Sequence, residues 1–165
     1  MPDRETIERA HEDAREGKSP STQAGEFVRE EIHHIREGKH GARSAKQAIA
    51  IGLSKARRAG VKLPRPPASA KATTKRSAAA ADRAARRKQK PSPTRSRASL
   101  RKLKREGRSA ASSAALARQA RASAKRRSAA DRRAAARRAV RTKGPARRRA
   151  AAKQAAKTRK RQAAG

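Results

Sequence analysis

Three closely spaced histidines and a run of glutamates are the side chains of this sequence best suited to chemistry. His33, His34 and His40 could ligate a metal, but on a helix His33 and His34 point about a hundred degrees apart. The chain has no cysteine and no further suitably spaced histidine, so the spacing predicts no metal site. Glu26, Glu30, Glu31 and Glu37 are carboxylates of the kind used in acid–base catalysis. No nucleophile–base set accompanies them, and their spacing reads as a solvated helix face. The expectation is a protein that is not an enzyme and carries no cofactor.

Cations are the other chemically loaded residues. The chain of 165 residues carries 48 Lys and Arg against 13 Asp and Glu, a formal charge of +35. Residues 1–63 contribute +3 of this and residues 64–165 contribute +32. Charge of that density calls for a polyanion, with the nucleic-acid phosphate backbone first among candidates. Only one residue, Phe27, is aromatic. The tail thus has no aromatic residue for stacking on bases, which argues against RNA-recognition sheets and single-strand binding folds.

The elements that must position these groups are helical. Asp3 as N-cap and Gly17 as stop bound a first helix, with a thin stripe of Ile7, Ala10 and Ala14. Ser19-Pro20 starts a second helix running to Glu37, in which Ala24, Phe27, Val28, Ile32 and Ile35 share a face. Ser44 and Gln47 have capping-box spacing and open a third. Its inward stripe is Ala45, Ala48, Ile49, Leu53 and Ala56, opposite Lys46, Gln47, Ser54, Arg57 and Arg58. Gly60 ends it, with Val61 placed to pack back as in a Schellman cap. The basic loop Gly38–Ser44 has two glycines and free N–H groups able to cradle a phosphate, although Walker spacing is absent. The triplets Arg15-Glu16-Gly17, Arg36-Glu37-Gly38 and Arg105-Glu106-Gly107 repeat as local helix-stop chemistry.

Leu63-Pro64-Arg65-Pro66-Pro67 reads as a stiff linker. Beyond it only Leu100, Leu103, Leu116 and Val140 are large aliphatics, too few for a core. Ser77–Arg87 and Ser128–Arg138 form a loose duplication. The expected architecture is mostly α: a head over 1–63 with helices near 3–16, 20–37 and 45–59, a linker over 64–76, and a basic tail over 77–165. The tail is expected to be largely disordered or transiently helical, because its cations leave no apolar stripe.

The segments Ser19–Glu31, Gly38–Ser44 and Lys46–Gly60 resemble an uncharacterised family of small basic bacterial proteins, over roughly residues 1–65. The resemblance implies a bacterial origin and carries no established activity. The tail is similar in composition to linker-histone tails and to those of some bacterial nucleoid proteins.

These readings converge on a histone-like, nucleoid-associated protein that binds and compacts DNA without sequence specificity. The alternative is an RNA- or ribosome-associated protein, or a scaffold for another polyanion. The residues expected to contact phosphate are Lys39, Arg43, Lys46, Arg57 and Arg58 in the head. In the tail they are Arg86, Arg87, Lys88, Lys125, Arg126, Arg127, Arg132, Arg133, Arg137, Arg138, Arg147, Arg148 and Arg149. The head is free to take a protein partner. No apolar run suggests a leader or a membrane span, and the expected location is the cytoplasm, at the nucleoid.

Overall fold

A computed structural model of the chain describes residues 2–87 and 92–163. All regular structure among them is helical: α1 (Arg4–Arg15), α2 (Pro20–Arg36), α3 (Ala45–Arg58), α4 (Ala72–Arg86), α5 (Pro93–Lys104), a 3-10 turn (Ser109–Ala111), α6 (Ser113–Lys125) and α7 (Ala129–Ala163). The chain divides into two units, one ending at Gln119 and the other beginning at Ala120.

In the first unit α2 and α3 pack along one another, α1 lies on α2 and α4 on α3, and the 3-10 turn touches both central helices. The expected stripe of α2 is the core: Ala24, Phe27, Ile32 and Ile35 are buried and Val28 packs beside them. Gly52 sets how closely α2 and α3 approach, since a Cβ there would lie 2.7 Å from Val28 Cα and 3.0 Å from the Phe27 carbonyl oxygen. On α3 the buried line is Ala45, Ala48, Gly52 and Ala56, whereas Leu53 is 36% exposed. On α1 it is Thr6, Ala10 and Asp13, one position off the expected stripe, with Ala14 exposed.

Helix ends follow the local chemistry. Ser44 Oγ accepts from the Gln47 N–H at 3.2 Å, and the Gln47 side chain accepts from the Arg43 N–H at 3.0 Å. After α3, Gly60 takes φ 95° while Gly60 N–H donates to Arg57 and Val61 N–H to Ala56, a complete Schellman cap. Gly17 and Gly38 close α1 and α2 by the same pair of bonds. Gly107 does not: its φ is not positive, and its carbonyl instead accepts from the Ala42 N–H at 3.1 Å.

Two expectations are corrected here. Glu26, Glu30 and Glu31 are buried, not a solvated face. Each is held by cations from other positions: Arg9 and Arg29 on Glu26, and Lys55 on Glu30 and Glu31. Burial of carboxylates is tolerated when they are paired. Glu37 is exposed as expected.

The region expected to be disordered is helical, and part of it belongs to the core. Ala110 and Ala111 are 4% and 1% exposed and join Ile32, Ile35, Ala42 and Ala48 in one cluster, with Leu116 packed against it. Ala81 of α4 is 1% exposed. Small side chains let these segments approach the central helices closely, so little aliphatic volume suffices. The helicity of the second unit has a local origin. Alanine, arginine and lysine are strong helix formers, while repulsion costs only about 0.2–0.5 kcal/mol per i,i+4 pair. Ser128 opens α7 by accepting from the Asp131 N–H at 3.0 Å while donating its own hydroxyl to Asp131 at 2.7 Å. The helix breaks at Gly144, φ 63° and ψ 172°, just before Pro145.

Candidate nucleic-acid interface

In the first unit the candidate cations separate into two kinds. Arg43, Lys46 and Arg58 are exposed, and none forms an ion pair among the described residues. Lys39 is exposed but lies 3.1 Å from the Glu37 carboxylate. That contact holds the Glu37 carboxyl below its ordinary value, with the Lys39 ammonium the larger cause and His33 the lesser.

Arg57 is not on the outward face. It is 8% exposed, and its guanidinium donates to both Asp82 oxygens at 3.0 Å and to the carbonyls of Leu63, at 3.3 Å, and Pro64. One side chain thus ties the end of α3, the start of the proline-rich stretch and α4 together. Asp82 is one of three acids beyond residue 63, and its partner could not be named from local spacing. Nη1 alone meets both Asp82 oxygens while Nη2 serves the Pro64 carbonyl, and this set of charge-assisted bonds gives Arg57 a structural role.

The Gly38–Ser44 loop also differs from its expected use. Its N–H groups are already engaged: Gly41 donates to the Leu103 carbonyl at 2.9 Å, Ala42 to Gly107 at 3.1 Å, and Arg43 to Gln47. A Cβ on Gly41 would collide with the Glu106 carbonyl, so glycine is required by close approach. The loop is a docking surface for residues 103–107 and has no free N–H cradle for phosphate at these positions.

Beyond α3 the exposed cations accumulate. Arg86 and Arg87 sit at the end of α4. Lys88 lies outside the described residues. Arg95, Arg97, Arg101, Lys102 and Lys104 on α5 are exposed with no acid on the helix, a set that sequence reasoning passed over although its spacing was plain. In the second unit Lys125, Arg126, Arg127, Arg132, Arg133, Arg137, Arg138, Arg147, Arg148 and Arg149 are all exposed. Residues 120–165 hold 18 Lys and Arg and a single acid, Asp131. The Ser128 hydroxyl and N–H, with Arg127 and Arg138 nearby, hold its carboxyl below the ordinary aspartate value.

His33 and His34 diverge as adjacent residues on a helix must. His33 points outward to Glu37 at 3.1 Å. His34 turns inward, and the turn at Gly38 brings His40 to it, with ring centroids 6.1 Å apart.

A family model described as a family of unknown function (DUF6496) matches residues 15–66, which include α2, the Gly38–Ser44 loop and α3. No curated protein and no solved structure matches the chain. The likeness of the tail to linker-histone tails therefore rests on composition alone. No helix among the described residues is long and apolar enough to cross a membrane.

Proposed function

We propose that this protein binds nucleic acid through the phosphate backbone without reading base sequence, with duplex DNA as the favoured ligand and compaction at the nucleoid as its setting. The observation that supports this is the second unit: 18 cations against one acid that is engaged in capping. Residues 129–163 carry 14 of those cations. At a helical rise of about 1.5 Å per residue they spread over roughly 50 Å, one per ~4 Å. Duplex DNA presents one phosphate per about 1.7 Å, so a bound duplex stays in charge excess and has room for further chains. Cations on every side of α7 need no fixed roll about the helix axis, which suits contact with phosphates rather than base edges. The break at Gly144 lets the segments 129–143 and 145–163 follow separate courses along a backbone. Neutralisation of the i,i+4 repulsions by phosphate strengthens the helix on binding. In the first unit Arg43, Lys46 and Arg58 add phosphate contacts, and α5 adds five more cations.

Competition gel shifts test the reading, with full-length protein offered duplex DNA, structured RNA and polyphosphate at matched salt. The proposal predicts that DNA competes at least as well as RNA and that unrelated duplexes compete equally. RNA winning by more than about tenfold would assign the protein to RNA or ribosomes instead.

A further inference from the structure

We propose a divalent transition-metal site, suited to zinc, built from Glu31, His34 and His40 in the first unit. One ligand atom from each of the three lies within 4.8 Å of the other two. Glu31 and His34 are three residues apart on α2 and so share a face, while the left-handed turn at Gly38 carries His40 back over them.

The second observation is the state of Glu31. Its side chain is fully buried, and neither carboxylate oxygen has an aligned hydrogen bond. Lys55 Nζ makes a close ion pair with Oε2 at 2.8 Å, but off the line a hydrogen bond needs. Oε1 faces His40 Nε2 at 3.5 Å. That separation exceeds the ~2.7–3.2 Å of a good hydrogen bond. It is close to the ~3.3–3.4 Å expected between two ligand atoms on one tetrahedral zinc with bonds of about 2.0–2.1 Å.

The surrounding groups prepare both imidazoles. His40 Nδ1 donates to the Gly41 carbonyl at 3.1 Å, which places the neutral ring's lone pair on Nε2, the atom facing Glu31. A carbonyl that fixes the tautomer in this way is the usual support for a metal-bound histidine. His34 Nε2 is held by Asp3 at 3.2 Å, a carboxylate–histidine pair of the same kind. Three carboxylates, Asp3, Glu30 and Glu31, lie around the two imidazoles with the Lys55 ammonium, an acid-rich setting that suits a cation. Of the three ligands, His34 also lines a cleft of about 390 Å³ together with Asp3, Glu30 and His33 among others. Two imidazoles and a carboxylate form a donor set that favours zinc over magnesium or calcium, with water as the fourth ligand. The site would clamp α2 to the loop after it, and it is independent of the nucleic-acid reading.

The test is titration of chelator-treated full-length protein with Zn²⁺ by calorimetry and with Co²⁺ by visible absorption. The proposal predicts one ion per chain, the intense visible bands of tetrahedral Co²⁺, and a rise in melting temperature with Zn²⁺. His40→Ala and Glu31→Gln should each lower affinity by about tenfold or more, while His33→Ala stays within about twofold. The wild-type Co²⁺ spectrum decides the matter even if a variant unfolds. No binding at micromolar Zn²⁺, a weak octahedral Co²⁺ spectrum, or an equal loss in His33→Ala would overturn the proposal.

Discussion

Replacing Arg57 by methionine should destabilise the first unit and leave nucleic-acid affinity nearly unchanged. Methionine fills much of the same volume, so the loss is electrostatic and not a cavity. The change strands the Asp82 carboxylate and the carbonyls of Leu63 and Pro64, which Arg57 now serves together. Breaking a buried ion pair from one side costs about 3–5 kcal/mol. Asp82 is 37% exposed and recovers some hydration, which lowers the expectation to about 2–3 kcal/mol. For a unit of this size that lowers the melting temperature by roughly 8–12 °C. Asp82→Asn should cost about 1–2 kcal/mol, and the double variant should be less destabilised than the sum of the two singles. Circular dichroism at 222 nm gives the melting curves, and filter binding below the transition gives the DNA affinity. Arg58→Met, its exposed neighbour, should melt within about 0.5 kcal/mol of the parent. The reasoning is refuted if Arg57→Met melts like the parent and binds DNA several-fold more weakly, for Arg57 would then be a surface phosphate contact.

Other changes separate packing from charge in the same way. Gly52→Ala drives a methyl into Val28 Cα and should cost about 1–3 kcal/mol in chemical denaturation, with unchanged DNA affinity in the folded protein. Gly41→Ala meets the Glu106 carbonyl and should release residues 103–107, seen as faster exchange of the amides at positions 41 and 42. Equal exchange in both proteins would show that the loop does not dock. The Asp131 carboxyl is lowered mainly by its bonds to Ser128, so the cap contributes above the ordinary aspartate value and is lost as pH falls through the lower, folded one. Helicity of α7 should therefore drop below about pH 4 in the parent, and Asp131→Asn should remove that step.

How far the sequence could be read depended on residue type. The α2–α3 pair was plain, because Phe27, Ile32 and Ile35 recur at helical steps and Ser44 with Gln47 marks a start. The glutamates of α2 misled because a carboxylate face looks the same whether water or a distant lysine satisfies it. Lys55 is 24 residues from Glu31, and local spacing says nothing about such a pair. Burial opposes the Lys55 charge, yet its contacts with Glu30 and Glu31 outweigh that and hold its pKa above the ordinary lysine value. Ala110 and Ala111 were invisible for another reason: alanine favours helices everywhere, so composition does not separate a packing alanine from a spacer. The same blindness hid Arg57, one cation among many until Asp82 arrived from α4. In the metal proposal, His40 was named with the other histidines, but its meeting with His34 was not legible, because a turn and not a helical repeat brings the two rings together.

The central claim is contact with phosphate by many cations and with bases by none. Its most direct measurement is the affinity of the full-length protein for two duplexes of unrelated sequence across a salt series. The account predicts parallel lines of log affinity against log salt, with a slope near −9 or steeper for about ten or more contacts, and a loss of roughly 10⁵-fold or more between about 50 and 200 mM salt. A slope near −1 or −2, or one duplex bound more than about a hundredfold better than the other, would contradict it.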